Sequence, residues 1–220
     1  TSATLDIFYP NQCEICQLDL QSDEEHICLS CLYDLPFIKN IESYQRSLDQ
    51  LFQGRAEVEQ THSLFNFQSG NQIQEVLHQI KYHKKTKLAE FFGSKLAEDM
   101  QSDTQFDFIV PVPLHPKKLR KRGYNQATII SKGISKSLGV QLNEKILKRI
   151  KHNPSQTTVS KFDRWENVRS IFEVVKPERI KNKHLLLVDD VLTTGATIEA
   201  CLKQLLKVEG CKVSVATLAA

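Results

Sequence analysis

The segment Leu185–Thr197, LLLVDDVLTTGAT, constrains the fold of this 220-residue chain more than any other. Leu185–Val188 is an uninterrupted apolar run with no polar face, as expected of a strand at the centre of a sheet covered on both sides. Two acids end the run, and a turn of threonines around one glycine follows. Ile198, Cys201, Leu202, Leu205 and Leu206 then recur at helical spacing, and Cys211–Leu218 reads as a further strand. A buried strand feeding a helix and then another strand is the unit from which parallel sheets with flanking helices are built. The fold class is therefore α/β, with a mostly parallel sheet.

The rest of the chain fits that frame. Phe106–Pro113 is an apolar strand that stops at prolines, and Asn125–Leu138 carries Ala127, Ile130, Ile134 and Leu138 on one helical face, with Gly139 placed to end it. Upstream, His62–Phe67 reads as a short strand. Ile73, Val76, Leu77 and Ile80 predict one helix, and Leu88, Phe91, Phe92 and Leu96 a second, with a basic turn at His83–Lys87 between them. His115–Arg122 reads as a basic loop, and Ile171–Val175 as a short strand. Lys151–Val168 is polar and without periodicity, which predicts a long mobile loop. No apolar run approaches the roughly 18–20 residues needed to span a bilayer, which predicts no membrane insertion. The opening residues TSATLDIFYP have neither a basic nor an apolar signal region, so the expected compartment is the cytoplasm.

The turn after the central strand defines a chemistry. In open α/β sheets ligands bind at the carboxyl ends of the strands, where Asp189 and Asp190 stand. Ionised carboxylates only accept hydrogen bonds, so they suit the hydroxyls of a sugar. Thr193, Thr194, Gly195, Ala196 and Thr197 open a helix, whose N-terminal N–H groups attract phosphate, while the three hydroxyls can donate to it. A ribose whose 5-phosphate sits in the turn satisfies both halves. No Gly-Lys-Ser/Thr is present, so this is not a Walker A loop.

Charge distribution supplies a second candidate. The chain carries a net +3, but residues 115–169 hold 14 Lys/Arg against 3 Asp/Glu, a net of +11, leaving −8 elsewhere. Such a segment fits an anionic partner, either a polyphosphate or nucleic acid. Within it, Lys117, Arg120 and Arg122 are placed to hold a pyrophosphate, and Gly123 and Asn125 tolerate unusual backbone angles next to Gln126. The polar stretch 153–167 contains Gln156, Arg164 and Asn167, and reads as a lid that closes over a reacting centre.

Near the N-terminus, Cys13-x-x-Cys16 and Cys28-x-x-Cys31 have the spacing of two knuckles that deliver four thiolates to a structural Zn²⁺. His26 is an alternative ligand. Some forty residues with few large apolar side chains cannot fold alone, so a metal would supply the missing stability. The expected organisation is a zinc module over residues 1–45 and a larger domain over residues 46–220.

Four apolar residues, two acids, two apolar residues and Thr-Thr-Gly-x-Thr resemble the phosphoribosyl pyrophosphate signature of type I phosphoribosyltransferases. Four N-terminal cysteines, then Arg122-Gly123-Tyr124-Asn125-Gln126, then Gln156 with Arg164-x-x-Asn167, then the acid–threonine turn, together resemble the ComF family of competence-associated proteins. That resemblance implies a type I phosphoribosyltransferase fold with an N-terminal zinc module, and a bacterial cytosolic protein linked to uptake of transforming DNA. It also implies a site for phosphoribosyl pyrophosphate with Mg²⁺ on Asp189, Asp190, Thr193, Thr194, Gly195 and Thr197. It leaves catalysis open: the chain is either a pentosyl transferase, with Asp189 and Asp190 as its catalytic residues, or an adaptor for single-stranded DNA or a competence helicase whose phosphoribosyl site does not turn over.

Overall fold

The computed structural model describes residues 11–38, 41–68, 70–100, 105–150 and 171–220. In chain order the elements are α1 (Leu29–Asp34), α2 (Ile41–Gln50), β1 (Thr61–Phe65), α3 (Gln72–Tyr82), α4 (Thr86–Asp99), β2 (Phe108–Pro111), α5 (Pro116–Arg122), α6 (Gln126–Leu138), β3 (Leu147–Arg149), β4 (Phe172–Val174), a 3₁₀ turn at Pro177–Arg179, β5 (His184–Val191), α7 (Ala196–Leu205) and β6 (Lys212–Ala219).

The apolar run Leu185–Val188 lies in β5, between β6 and β2, in a four-stranded parallel sheet of order β1-β6-β5-β2. All four residues are fully buried. Alternation along the strand divides them between two cores. Leu186 and Val188 pack with α3, α4 and α6, whereas Leu185 and Leu187 pack with Leu48 of α2 and with α7. Each such side chain contributes roughly 1.5–3 kcal/mol of burial, so the sheet centre is pinned.

The crossings of the sheet position the site. After β2 the chain runs through α6 and touches the outer edge of β2, where Leu142 bridges Ile109 in parallel. It then returns to form β5 on the inner edge of β2. The direction of winding thus reverses between β2 and β5, and a crevice opens outside their carboxyl ends at such a switch point.

Helix α6 is drawn close to α4 through two glycines. A Cβ at Gly93 would stand 2.2 Å from the Ile130 carbonyl oxygen, and one at Gly133 would stand 2.0 Å from that of Glu90. No other residue permits this approach, and it fixes the start of α6 beside the crevice.

The segment His115–Arg122, expected as a loop, is instead helix α5. His115 caps it, its Nδ1 accepting from Lys117 N at 3.1 Å; Pro116 sits in the first turn, and Gly123 ends it with φ 83°. Proline at the start and glycine just past the end are the start and stop signals of a helix. The predicted strand–helix alternation is also interrupted, because β3 and β4 form a separate antiparallel pair. The predicted loop 151–168 lies outside the described residues.

Among the described residues, the N-terminal segment shares the main core rather than forming a separate one. Cys13, Ile27 and Leu35 are buried together with Leu64, Leu88 and Phe92. Phe37 then bridges Phe65 beside β1, with ring centroids 4.7 Å apart. Among the described residues, no helix is long and apolar enough to cross a membrane.

Candidate functional site

The switch point brings two of the sequence motifs together. Val112, just beyond β2, donates its N–H to the carbonyl of Val188 at 2.8 Å, and Asn125 Nδ2 donates to the carbonyl of Val112 at 2.9 Å. The other end of the same amide caps α6, with Oδ1 accepting from Ala127 N at 3.2 Å. One asparagine therefore ties the start of α6 to the end of β2, next to the residue that precedes Asp189.

Asp189 and Asp190 leave β5 on opposite faces. Asp190 follows Leu186 and Val188 towards α3 and is 4% exposed. Its Oδ2 is buried and makes no hydrogen bond among the described residues, but Lys81 Nζ stands 3.1 Å away as an ion-pair partner. Asp189 Oδ1 accepts the N–H of Asp190 at 2.9 Å. The Asp189 carboxyl is surrounded by protein atoms though not sealed from solvent. Burial, and then the charge on Asp190, push it from an ordinary value near 3.8 up to about 8, against the pull of Lys81 and Arg122. A pair of acids whose second charge is disfavoured in the free protein is suited to binding sugar hydroxyls or a cation, which relieve the repulsion.

The threonine turn lies beyond these acids. Thr193, Thr194, Ala196 and Thr197 are exposed and Gly195 is buried. Gly195 precedes α7 with φ 74°, and a Cβ there would meet the Phe52 ring at 3.3 Å. The first-turn N–H groups of α7 have no helical acceptors, which is the usual anion-binding arrangement. Arg55 braces the turn from behind: its Nη1 donates to the Thr194 carbonyl at 3.4 Å and stands 3.8 Å from Glu199 Oε2. Sequence reasoning missed Phe52 and Arg55, which no local pattern marks.

The Arg122–Gln126 motif is locked to the last turn of α3. Arg122 Nη1 donates to Gln126 Oε1 at 2.9 Å and Nη2 to the Tyr82 hydroxyl at 3.3 Å, while the guanidinium lies 4.9 Å from the Tyr82 ring centroid. The Tyr124 hydroxyl donates to the carbonyl of Ile80. Gln126 is buried; Gly123 supplies the left-handed end of α5. Lys117 and Arg120 sit elsewhere, exposed on α5. The structure thus places Arg122 by the acids and adds Lys81, which no sequence motif marks. Gln156, Arg164 and Asn167 lie outside the described residues.

The four N-terminal sulfurs form a separate centre. Their ligand atoms all lie within 4.8 Å of one another, and Cys16 Sγ is 3.7 Å from Cys28 Sγ. Four thiolates held tetrahedrally at about 2.3 Å from one ion stand about 3.8 Å apart, so the cluster could hold a metal such as zinc. Burial opposes ionisation of Cys13, but the N–H groups of Cys16, Cys28 and Ile15 bring its thiol down to about 7. Burial and then the neighbouring Cys16 thiol push Cys31 up. Four thiolates this close need a cation to coexist. His26 does not join them: its Nδ1 faces Glu14 Oε1 at 3.9 Å and its ring meets Phe91 edge-on.

The phosphoribosyl transferase domain family matches residues 119–220. Competence protein F of Haemophilus influenzae is 38% identical over 100 residues, 45% of this chain and 44% of that protein. The DNA utilization protein YhgH of Escherichia coli strain K12 is 26% identical over 138 residues, 60% of each chain. Competence protein ComFC of Streptococcus pneumoniae is 30% identical over 125 residues, 57% of this chain and 52% of that one. In each case the match spans less than two thirds of the relative.

Proposed function

We propose that this chain, matched by the phosphoribosyl transferase domain over residues 119–220 and similar over about half its length to competence protein F, YhgH and ComFC, is a ComF-family protein that binds phosphoribosyl pyrophosphate with Mg²⁺ and acts in natural competence or DNA uptake. The observation that carries the reading is the buried Oδ2 of Asp190, free of hydrogen bonds among the described residues, beside Asp189 and a few residues before the N-terminus of α7. Asp189 and Asp190 take the ribose hydroxyls. Thr193, Thr194 and Thr197 donate to the 5-phosphate with the first N–H groups of α7. Arg122 neutralises the diphosphate at C1, and Lys117 and Arg120 on α5 extend the positive field around it.

Mg²⁺ suits the same acids, since a buried carboxylate oxygen whose one neighbour is the Lys81 ammonium, with no hydrogen bond among the described residues, is a fitting partner for a hard cation or for water bound to one once the lysine moves aside. When bound with the diphosphate, Mg²⁺ would reduce its charge and make it a better leaving group. For pentosyl transfer, Asp189 and Asp190 would orient the ribose and stabilise positive charge on the sugar ring. Zn²⁺ at Cys13, Cys16, Cys28 and Cys31 would be structural, because four thiolates leave no open position. Thermal unfolding tests the assignment. Millimolar phosphoribosyl pyrophosphate with Mg²⁺ is expected to raise Tm well beyond inorganic phosphate; equal shifts from both would remove it.

A second reading, an adaptor for single-stranded DNA, is favoured by one surface. Lys117, Lys118, Arg120 and Lys121 are exposed on α5, and the half-exposed Tyr82 lies close enough to Lys118 to feel its charge. The Arg122 guanidinium lies 4.9 Å from the Tyr82 ring centroid, and the His78 ring meets Tyr82 at a 46° tilt and also meets His83. Bases stack on such aromatic faces while cations track the backbone. Fluorescence anisotropy across salt concentrations tests this. A steep salt slope that Lys117→Glu/Lys121→Glu abolishes would support it, and no binding at low salt would end it.

A further inference from the structure

Lys81 is notable among the described lysines for its partner. It occupies the last turn of α3, its side chain is only 21% exposed, and its ammonium lies 3.1 Å from a carboxylate oxygen that has no hydrogen bond among the described residues. A lysine kept this far from water against a buried acid costs desolvation of both charges. The three residues of that last turn also meet both motifs: Ile80 accepts from Tyr124, Lys81 pairs with Asp190, and Tyr82 holds Arg122. The C-terminal turn of α3 is thus a wall of the crevice.

The orientation of the sugar follows from the reading above, on which this inference rests. With the 5-phosphate at the N-terminus of α7 and the ribose hydroxyls on Asp189 and Asp190, C1 points away from α7. The 2-hydroxyl and the C1 oxygen sit on adjacent carbons. A cation touching the carboxylate that takes the hydroxyls is therefore within a few ångströms of the diphosphate at C1. Arg122 stands on the same side, held by Tyr82.

We infer that Lys81 is a binding residue for the C1 diphosphate. In the free protein its ammonium serves as counter-ion to Asp190; when ribose hydroxyls and Mg²⁺ take over the carboxylate, it turns to the diphosphate, beside Arg122. Lys81 therefore separates ligands that carry a C1 diphosphate from those that carry the 5-phosphate alone.

Isothermal titration of the full chain with two probes tests this. Both ribose 5-phosphate and phosphoribosyl pyrophosphate, each with Mg²⁺, are titrated into wild type and Lys81→Met. The expected result is about a tenfold loss of affinity for the diphosphate and little change for ribose 5-phosphate, as fits loss of one charge-assisted contact. Equal losses for both probes, or no loss for either, would overturn the inference by making Lys81 a structural counter-ion. Should Lys81→Met not fold, Lys81→Met/Asp190→Asn leaves no unpaired charge and is compared with Asp190→Asn alone. Loss of preference for the diphosphate supports the role, and an unchanged preference contradicts it. A wild type that binds neither sugar overturns the site reading itself, a different result from one that binds both without regard to Lys81.

Discussion

All four sulfurs of the cysteine cluster, which could hold a metal, come from one short stretch, Cys13 to Cys31, and stand within 4.8 Å of one another. The crevice at the end of β5 gathers Phe52, Arg55, Lys81, Arg122 and Asn125, from three other segments far apart in the chain, around Asp189–Thr197. The first centre is organised by local spacing and rests on the main core through Cys13, Ile27 and Leu35. The second is organised by the sheet: it exists only because β2 and β5 lie side by side at a reversal of winding. Disrupting the cysteine cluster, or removing a metal from it, is therefore expected to cost stability, whereas disrupting the crevice is expected to cost binding while the fold survives.

The largest expected effect tests the first half of that contrast. Removing the metal by chelation, or Cys13→Ser, should cost several kcal/mol, because the module shares buried side chains with Leu88 and Phe92. In a chain of this size that corresponds to a fall in Tm on the order of 10 °C, measurable by calorimetry. An unchanged Tm would mean that the knuckle is an appendage. A smaller loss, about 2–3 kcal/mol, is expected for Gly195→Val, which forces a β-branched residue to φ 74° and into the Phe52 ring. That variant should lose ligand affinity more steeply than stability, and the opposite order would make the turn a structural element.

A still smaller effect concerns pH. The folded Asp189 holds its proton to about 8, whereas the unfolded chain releases it near 3.8. Between those values the folded state binds the extra proton, so this group's contribution makes stability fall as pH rises. Binding runs the other way, since hydroxyls and Mg²⁺ need the carboxylate. Affinity for phosphoribosyl pyrophosphate should rise by up to tenfold per pH unit towards 8 and then level off. Titrations in buffers of different ionisation enthalpy should show a proton released on binding at pH 7, and none in Asp189→Asn. The smallest expected effect is His26→Ala, which should leave metal content unchanged, because His26 faces Glu14 and Phe91. Metal loss in that variant would enlist it as a ligand.

Strong periodicity made much of the fold legible. The apolar run of β5 and the stripes of α3 and α6 were readable because burial imposes a pattern on their residues, and Ile73, Val76, Leu77, Ile80, Ile130 and Ile134 are all buried. Helix α5 escaped because PKKLRKR has no apolar stripe; its evidence was in the capping residues Pro116 and Gly123. The strands β3 and β4 have three residues each, too few for alternation to register. Within the crevice, the acids, the threonine turn and Arg122 were legible as motifs. Lys81, Tyr82, Phe52 and Arg55 were not, because a lysine at a helix end or an arginine in a turn looks the same in sequence whether it meets water or a buried carboxylate. Only the sheet topology decides which.

The central claim is that Asp189 and Asp190 hold the ribose of a phosphoribosyl ligand. Isothermal titration of phosphoribosyl pyrophosphate with Mg²⁺ into wild type and into Asp189→Ala/Asp190→Ala tests it most directly, with metal content checked in both. The account predicts saturable one-to-one binding by the wild type and a loss on the order of 100-fold in the variant, as expected when charge-assisted hydrogen bonds from two carboxylates are removed. Wild-type protein that binds nothing, or a variant that binds equally well, would contradict it.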